Sequence, residues 1–474
     1  MLNRTAVLEH FKRISQIPRC SKQEEKICKY LLDWAKDRGL AAYTDPTGNL
    51  LIQIPATPQR ENSPGIVLQA HLDMVCEKNP ESPHDFNHDP IQLIEEGDWL
   101  KAKGTTLGAD NGIGIALALA LAEDPKISRP PLELLFTVDE ETGLTGARGL
   151  EPGFFSGRTL INLDSEDDGV LTIGCAGGRD CELRLPLARQ TTPDEYRHYR
   201  LTVSGLRGGH SGVDIHEQRG NANVILAQVL HKLTASFDFQ LAGLQGGSAH
   251  NAIPRAAEAI LALPPGSEPT LMAEIVSLTT ELRKTESQEP TLVLELAETS
   301  EKARTCTQEC TLKIIDLLLT APHGVIAHSS TVAGLVETSL NFATIKERDD
   351  HLVLLFSLRS DRPAGLSALT DRLAALARLS GATFTASPGY PGWQPDYNSP
   401  LLARASQVYQ TLYGIPPKIE VIHAGLECGL IGAANPGMDM ISLGPTIKNP
   451  HSPEEKLDLP SLDRFCRFLS ALFG

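Results

Sequence analysis

The sequence predicts an α/β fold: a mostly parallel, mixed sheet sandwiched by helices, with an α+β domain inserted into it. Three observations predict this. The first third of the chain alternates helical patterns with short, continuous apolar runs. From about Cys181 the texture changes to period-two strands. After the Pro- and Gly-rich stretch SPGYPGWQPDYNSP (387–400) the first texture resumes. Strands buried on both faces read as continuous apolar runs, whereas strands with one wet face alternate. The division implied is a discontinuous first domain, 1–180 and 391–474, and an inserted domain, 181–390. A chain of 474 residues has room for two or three domains.

Each element follows from its pattern. Val7, Leu8, Phe11 and Ile14 recur at helical spacing, and 24–38 reads as a second amphipathic helix with Ile27, Leu31 and Trp34 inward. Leu50–Ile54, Ile66–Ala70, Leu132–Val138 and Leu160–Leu163 read as buried strands. Asn111–Glu123 reads as a helix, with Asp110 before it and Pro125 after it. In the middle of the chain, Tyr199–Val203 and His351–Phe356 alternate like half-buried strands, and Ala222–Leu233 is helical. After the return come helix Leu401–Tyr413, strands Ile419–Ile422 and Met440–Leu443, and a final helix from Pro460.

Composition narrows the function classes. Hydrophobic residues make up 41% and charged residues 22%, enough for a large core. The net charge of −16 disfavours nucleic acid and anionic membranes, which need a basic surface. The longest apolar stretch, Ile113–Ala122, is too short to span a bilayer, and the N-terminus lacks a signal-type apolar core. The nine scattered cysteines read as free thiols of a reducing cytosol, so the expected location is cytoplasmic. No G-x-S-x-G elbow follows a strand, which disfavours a serine hydrolase.

Five segments carry metal-capable side chains at or after predicted strand ends or, in one case, at a helix mouth. They are QAHLDMV with His71 and Asp73, GADNGIG with Asp110, TVDEETG with Glu140 and Glu141, NLDSED with Asp164, and IKNPHSPEE with His451. In open α/β sheets, sites form outside the carboxyl ends of strands. Zinc favours imidazole and carboxylate, and a pair of zincs about 3.5 Å apart needs a shared ligand. A carboxylate bridges through its two oxygens, so Asp110 is the natural bridge. One histidine and one acid per metal then complete the set, His71 with Asp164 and His451 with Glu141. Asp73, two residues from His71, is placed to hold that ring's orientation. Glu140 is left over, as a general base must be. Manganese or cobalt would satisfy the same ligands. HAGLECG follows the strand Ile419–Ile422, so Glu427 either contacts a substrate amine or supports the ligands from behind.

These segments resemble the zinc peptidase clan that includes glutamate carboxypeptidase, aminoacylase and carnosinase. The wording AHLDMVCEK, TTLGADNGIG, FTVDEETGLTGA, NLDSED and HAGLECG is closest to its aminoacyl-histidine dipeptidases, and the similarity extends over nearly the whole chain. The resemblance implies a dipeptidase preferring Xaa-His substrates such as carnosine. It gives the five ligands, Asp73 and Glu140 the roles above, and implies a cis peptide between Asp110 and Asn111. The inserted domain would be the clan's lid. His210, in RGGHSGVDI, would polarise the scissile carbonyl and stabilise the oxyanion. Asn251, in SAHNAIPRAA, would contact the peptide. Arg255 or Arg359 would grip its terminal carboxylate, either being otherwise a surface salt-bridge partner.

The insertion is about twice a minimal lid of that clan. Two arrangements stay open: a lid closing over its own active site, or a homodimer lending His210 across an interface. A deacylase or longer-peptide exopeptidase of the same clan would share every metal residue. An inactive binding scaffold would have lost a ligand or Glu140, and none is lost.

Overall fold

The computed structural model describes residues 2–300, 304–329 and 334–473. The chain forms two compact units. One comprises the chain up to Cys175, Trp393–Val421 and the chain from Leu426 onward; the other comprises Ala176–Gly392 and Ile422–Gly425.

The first unit is built on an eight-stranded sheet. Its order is Ala41–Thr44, Leu50–Ile54, Leu132–Thr137, Ile66–His71, Thr159–Asn162, Asp439–Ser442, Val170–Cys175 and Lys418–Ile422. The four central strands, Leu132–Thr137 through Asp439–Ser442, run parallel, and the pairs flanking them run antiparallel. The sheet is therefore mixed. Leu132–Thr137 is buried at every position, which is why it reads as an unbroken apolar run. Every residue from Ala109 to Ala122 is also buried, as expected of a helix that is apolar all round. The amphipathic helix Arg4–Ile14 packs on it, burying Val7, Leu8, Phe11 and Ile14.

The free-thiol expectation needs one correction. Cys20 and Cys76 form a disulfide with a Cα–Cα distance of 5.7 Å. A backbone bridge pairs Cys20 with Met74, and the Met74 N–H donates to the Arg19 carbonyl at 3.1 Å. That pairing draws together two cysteines whose sequence spacing carries no signal.

The second unit holds an antiparallel sheet whose central strands are Arg197–Ser204, Ala257–Leu263, Gln240–Gly246, Val336–Arg348, His351–Ser360 and Gly177–Pro186. Helices Ala222–Leu233, Glu268–Thr285, Gln308–Thr320 and Pro363–Ser380 contribute to one continuous apolar core with these strands. Arg197–Ser204 alternates buried and part-exposed residues, the mark of a sheet with one wet face. The four-residue return Ile422–Gly425 joins this unit because Ala176 N–H donates to the Ile422 carbonyl at 3.1 Å and His423 Nε2 lies 2.7 Å from Ser339 Oγ.

Candidate active site

Register builds the site. His71 pairs with Thr137 and Gln69 pairs with Asn162, so the parallel strands end level with one another. The residues just past those ends are Leu72 and Asp73, Glu140 and Glu141, and Asp164. Ser442 pairs with Asn162, and the chain beyond it leads to His451 on the same edge. Asp110 comes from the opening of helix Ala109–Glu123. Gly108 there is left-handed (φ 67°), and Asp110 and Asn111 depart from helical dihedrals across a cis peptide bond.

The donor atoms converge. His71 Nε2 lies 3.0 Å from Asp110 Oδ1 and 3.3 Å from Asp164 Oδ1. His451 Nε2 lies 3.0 Å from Asp110 Oδ2 and 3.0 Å from Glu141 Oε2. The two oxygens of Asp110 therefore face one imidazole each. On its other side, His71 Nδ1 faces Asp73 Oδ1 at 3.3 Å. Asp73 is in turn fixed by Ser21 Oγ at 2.7 Å and by the backbone N–H groups of Glu140 and Glu141 at 3.0 and 3.2 Å. Asn111 donates to the Asp164 carboxylate and to the Leu163 carbonyl.

The electrostatics favour a cation. Burial drives the carboxyl of Glu140 well above the usual range, and Asp164, Glu141 and Glu427 push it further, while His71 opposes. Burial likewise raises Glu141 and Asp164. Hydrogen bonds donated to Asp110 and Glu141 lift His451 to about 11. Burial would lower His71, yet Asp164, Asp110 and Asp73 together raise it well above normal. Burial also works against the charge on Asp73, but His71, Ser21 and the Glu140 N–H hold it down to about 2.

The donor set fits a divalent metal. Bonds of about 2.0–2.1 Å in a tetrahedron put neighbouring ligand atoms roughly 3.3 Å apart, and the imidazole–carboxylate separations here are 3.0–3.3 Å. Donor atoms of His71, Asp110 and Glu141 all lie within 4.8 Å of one another.

Glu427 is fully buried, its Oε2 accepting from Gln69 at 2.6 Å and Thr137 at 2.8 Å; burial lifts its carboxyl to about 7. Three residues around the site escaped the sequence reading. Glu166, in the same NLDSED segment as Asp164, is lifted to about 8 by burial and then by Asp110 and Asp164. Glu455, in the same PHSPEE segment as His451, is 2% exposed. Both lay inside quoted motifs and could have been taken with them. Arg19, 3% exposed, has no sequence signal at all.

In the second unit, His210 ends a short pairing with Ala252–Ile253. Its Nδ1 accepts the Gly212 and Val213 N–H groups at 3.2 and 3.1 Å, so the neutral ring carries its proton on Nε2 and presents a donor there. Asn251 is exposed, and its carbonyl accepts the Ser211 N–H at 2.8 Å. Arg255 is exposed and donates to the Leu206 carbonyl at 3.2 Å. Arg359 is 7% exposed; its Nη1 donates to the Tyr390 hydroxyl at 3.0 Å and its buried Nε has no hydrogen-bond partner.

Residues 67–473 match the sequence profile of Peptidase family M20/M25/M40. The chain belongs to this peptidase family. It is 41% identical to the cytosol non-specific dipeptidase of Escherichia coli K12, over 98% of this chain and 96% of that one. The crystal structure of aminoacylhistidine dipeptidase from Vibrio alginolyticus superposes with a TM-score of 0.89 at 42% identity, covering 100% of this chain and 97% of that one. An aminopeptidase from Bacillus cereus, at 16% identity and a TM-score of 0.58, shares the fold. The M20 peptidase fold with its catalytic and lid domains is thus the fold of this chain, and its enzymatic class is that of a peptide-bond hydrolase.

Proposed function

We propose that this M20 peptidase is a cytosolic dipeptidase that uses two zinc ions and prefers Xaa-His substrates. The observation that carries the reading is Asp110, whose two oxygens each face one imidazole Nε2 at 3.0 Å. His71 and Asp164 would hold one ion, His451 and Glu141 the other, with Asp110 shared. When bound, such a pair supplies an acidified water and positive charge for a carbonyl oxygen.

The chain's own residues do the rest. Asp73 keeps His71 in one orientation and tautomer. Glu140 accepts the proton of the attacking water and passes it to the leaving nitrogen, and burial raises its basicity. His210 offers its Nε2–H to the developing oxyanion. Arg359 is the better candidate for the substrate carboxylate, because it is held by Tyr390 and keeps an unpartnered buried Nε, whereas Arg255 is exposed. Asn251 contacts the peptide backbone. Glu427, sealed beneath the site, supports it from behind rather than meeting an amine.

The two similar proteins agree on dipeptides and differ in name on side-chain preference. The cytosolic assignment is supported by the E. coli relative's name; among the described residues no helix is long and apolar enough to cross a membrane. A homodimer through the second unit belongs to the same proposal, as does the choice of zinc over manganese or cobalt.

The test is histidine release from β-alanyl-histidine and a panel of Xaa-His and Xaa-Xaa dipeptides, before and after chelation and with each metal restored. Chelator-sensitive cleavage confined to dipeptides and fastest for Xaa-His with zinc is expected. Cleavage of N-acyl amino acids or longer peptides instead would overturn the substrate assignment.

A further inference from the structure

The segment that presents Asp110 is gripped from two sides. Glu455 accepts four consecutive backbone N–H groups: Leu107 and Gly108 on Oε2 at 2.8 and 2.9 Å, and Ala109 and Asp110 on Oε1 at 2.8 and 3.2 Å. Arg19 Nη2 donates to the carbonyl of Gly108 within that same segment. Its Nη1 donates to the carbonyls of Leu72 at 3.0 Å and Asp73 at 2.6 Å, immediately after His71. One guanidinium thus ties the backbone that follows His71 to the backbone that precedes Asp110.

The fit is close. A Cβ at Gly108 or Gly112 would come within 2.7 or 2.6 Å of Arg19 Nη2, so both glycines make room for this side chain. Arg19 makes its hydrogen bonds to carbonyl oxygens, while the carboxylates of Asp73, Glu455, Asp110 and Glu141 lie near enough to stabilise its charge. The disulfide joins Cys20, next to Arg19, to Cys76 in the segment after Asp73. The hydrogen bonds of this buried cation and this buried anion go to backbone groups. Both act on the placement of one side chain, Asp110, against another, His71.

We propose that Arg19 and Glu455 are positioning residues that set the spacing between His71 and Asp110 and thereby the affinity of the metal pair. The proposal rests on the functional reading above. A shared carboxylate tolerates little displacement, because each of its oxygens must meet a different ion. Groups that orient ligands from behind cost about 10- to 100-fold in metal affinity when removed.

The experiment titrates zinc into the chelator-stripped full-length chain against a chromophoric chelator, for wild type, His71→Ala, Arg19→Lys and Glu455→Gln. Circular dichroism of each metal-free protein is recorded in parallel. Wild type should take up two zinc ions and His71→Ala fewer. Arg19→Lys keeps the charge but cannot fork across three carbonyls, and Glu455→Gln keeps the shape but turns an acceptor into a donor. Both should bind zinc about 10- to 100-fold more weakly while the metal-free chain stays folded. Affinity within twofold of wild type in both variants overturns the inference alone. Loss of the metal-free fold in Arg19→Lys also overturns it, since the residue would then support the fold rather than the spacing. A wild type that takes up no zinc brings down the functional reading and this inference with it.

Discussion

The two units of the molecule place their functional side chains by different means. In the first, parallel strands end level, and His71, Glu140, Glu141 and Asp164 follow from strand register. In the second, the sheet is antiparallel, and His210, Asn251 and Arg255 lie on loops or short pairings away from its main ladders. Parallel register concentrates chemistry at one edge, so a sequence reader who finds the strands finds the site. An antiparallel sheet has no such edge. Arg359 sits in the ladder of strand His351–Ser360, but the other candidate groups depend on loop contacts such as Ser211 N–H to Asn251 O.

The comparison can be broken or sharpened by experiment. The largest effect should come from Glu140→Gln in the first unit. In the proposed mechanism its raised, buried carboxyl carries the proton, so kcat should fall by about 10²- to 10⁴-fold while zinc stoichiometry is kept. Near-normal turnover in a zinc-loaded variant would remove chemistry from this unit. Next in size, Leu117→Ala, at a fully buried position of helix Ala109–Glu123, should cost about 2–5 kcal/mol in denaturant unfolding. Leu379→Ala, at an 87% exposed position of the second unit, should stay within about 0.5 kcal/mol.

His210→Ala should lower kcat by about 10²-fold with little change in KM, because a donor to a developing oxyanion acts in the transition state. An effect on KM alone would reassign His210 to ground-state binding.

Acidification should separate the units as well. Burial depresses His323 to about 4, and burial together with Arg359 depresses His423 to about 3. The unfolded chain takes up these protons first, near pH 6.5. The stability they provide is therefore present above pH 6.5 and lost as pH falls toward 4 and below, on the order of 2–3 kcal/mol for His323. Hydrogen exchange in helix Ala222–Leu233 should accelerate over that window and do so less in His323→Gln. Among the substitutions aimed at activity, the smallest effect is expected for Tyr390→Phe. Losing the hydroxyl that holds Arg359 should raise KM for dipeptides a few-fold, equivalent to about 0.5–1.5 kcal/mol, and an unchanged KM would point the carboxylate grip elsewhere.

Much of this was legible beforehand. Val7, Leu8, Phe11 and Ile14 are all buried, at the spacing that marked them as one helix face. Helix Ala222–Leu233 and strand Leu50–Ile54 run between the residues where their patterns begin and end. His71, Asp110, Glu141, Asp164 and His451 do come together. What escaped was of another kind. Arg19 hydrogen-bonds to backbone carbonyls, and a backbone group has no residue type for a motif to record; Glu455 also holds backbone groups, although it lay in the quoted segment around His451. The Cys20–Cys76 bond depends on a backbone pairing between segments far apart in the chain.

The sequence by itself determined the element pattern, the presence of an inserted α+β region and the identity of the metal-capable residues, because periodicity and residue chemistry are local properties. Only the tertiary structure decided the rest. It settled which strands are neighbours, that parallel and antiparallel pairs are mixed in one sheet, and that the two oxygens of Asp110 face different histidines. It also buried Glu427 and placed Arg19 beneath Gly108. Those facts depend on strand order, register and the burial of charge, which are fixed by contacts between residues hundreds of positions apart.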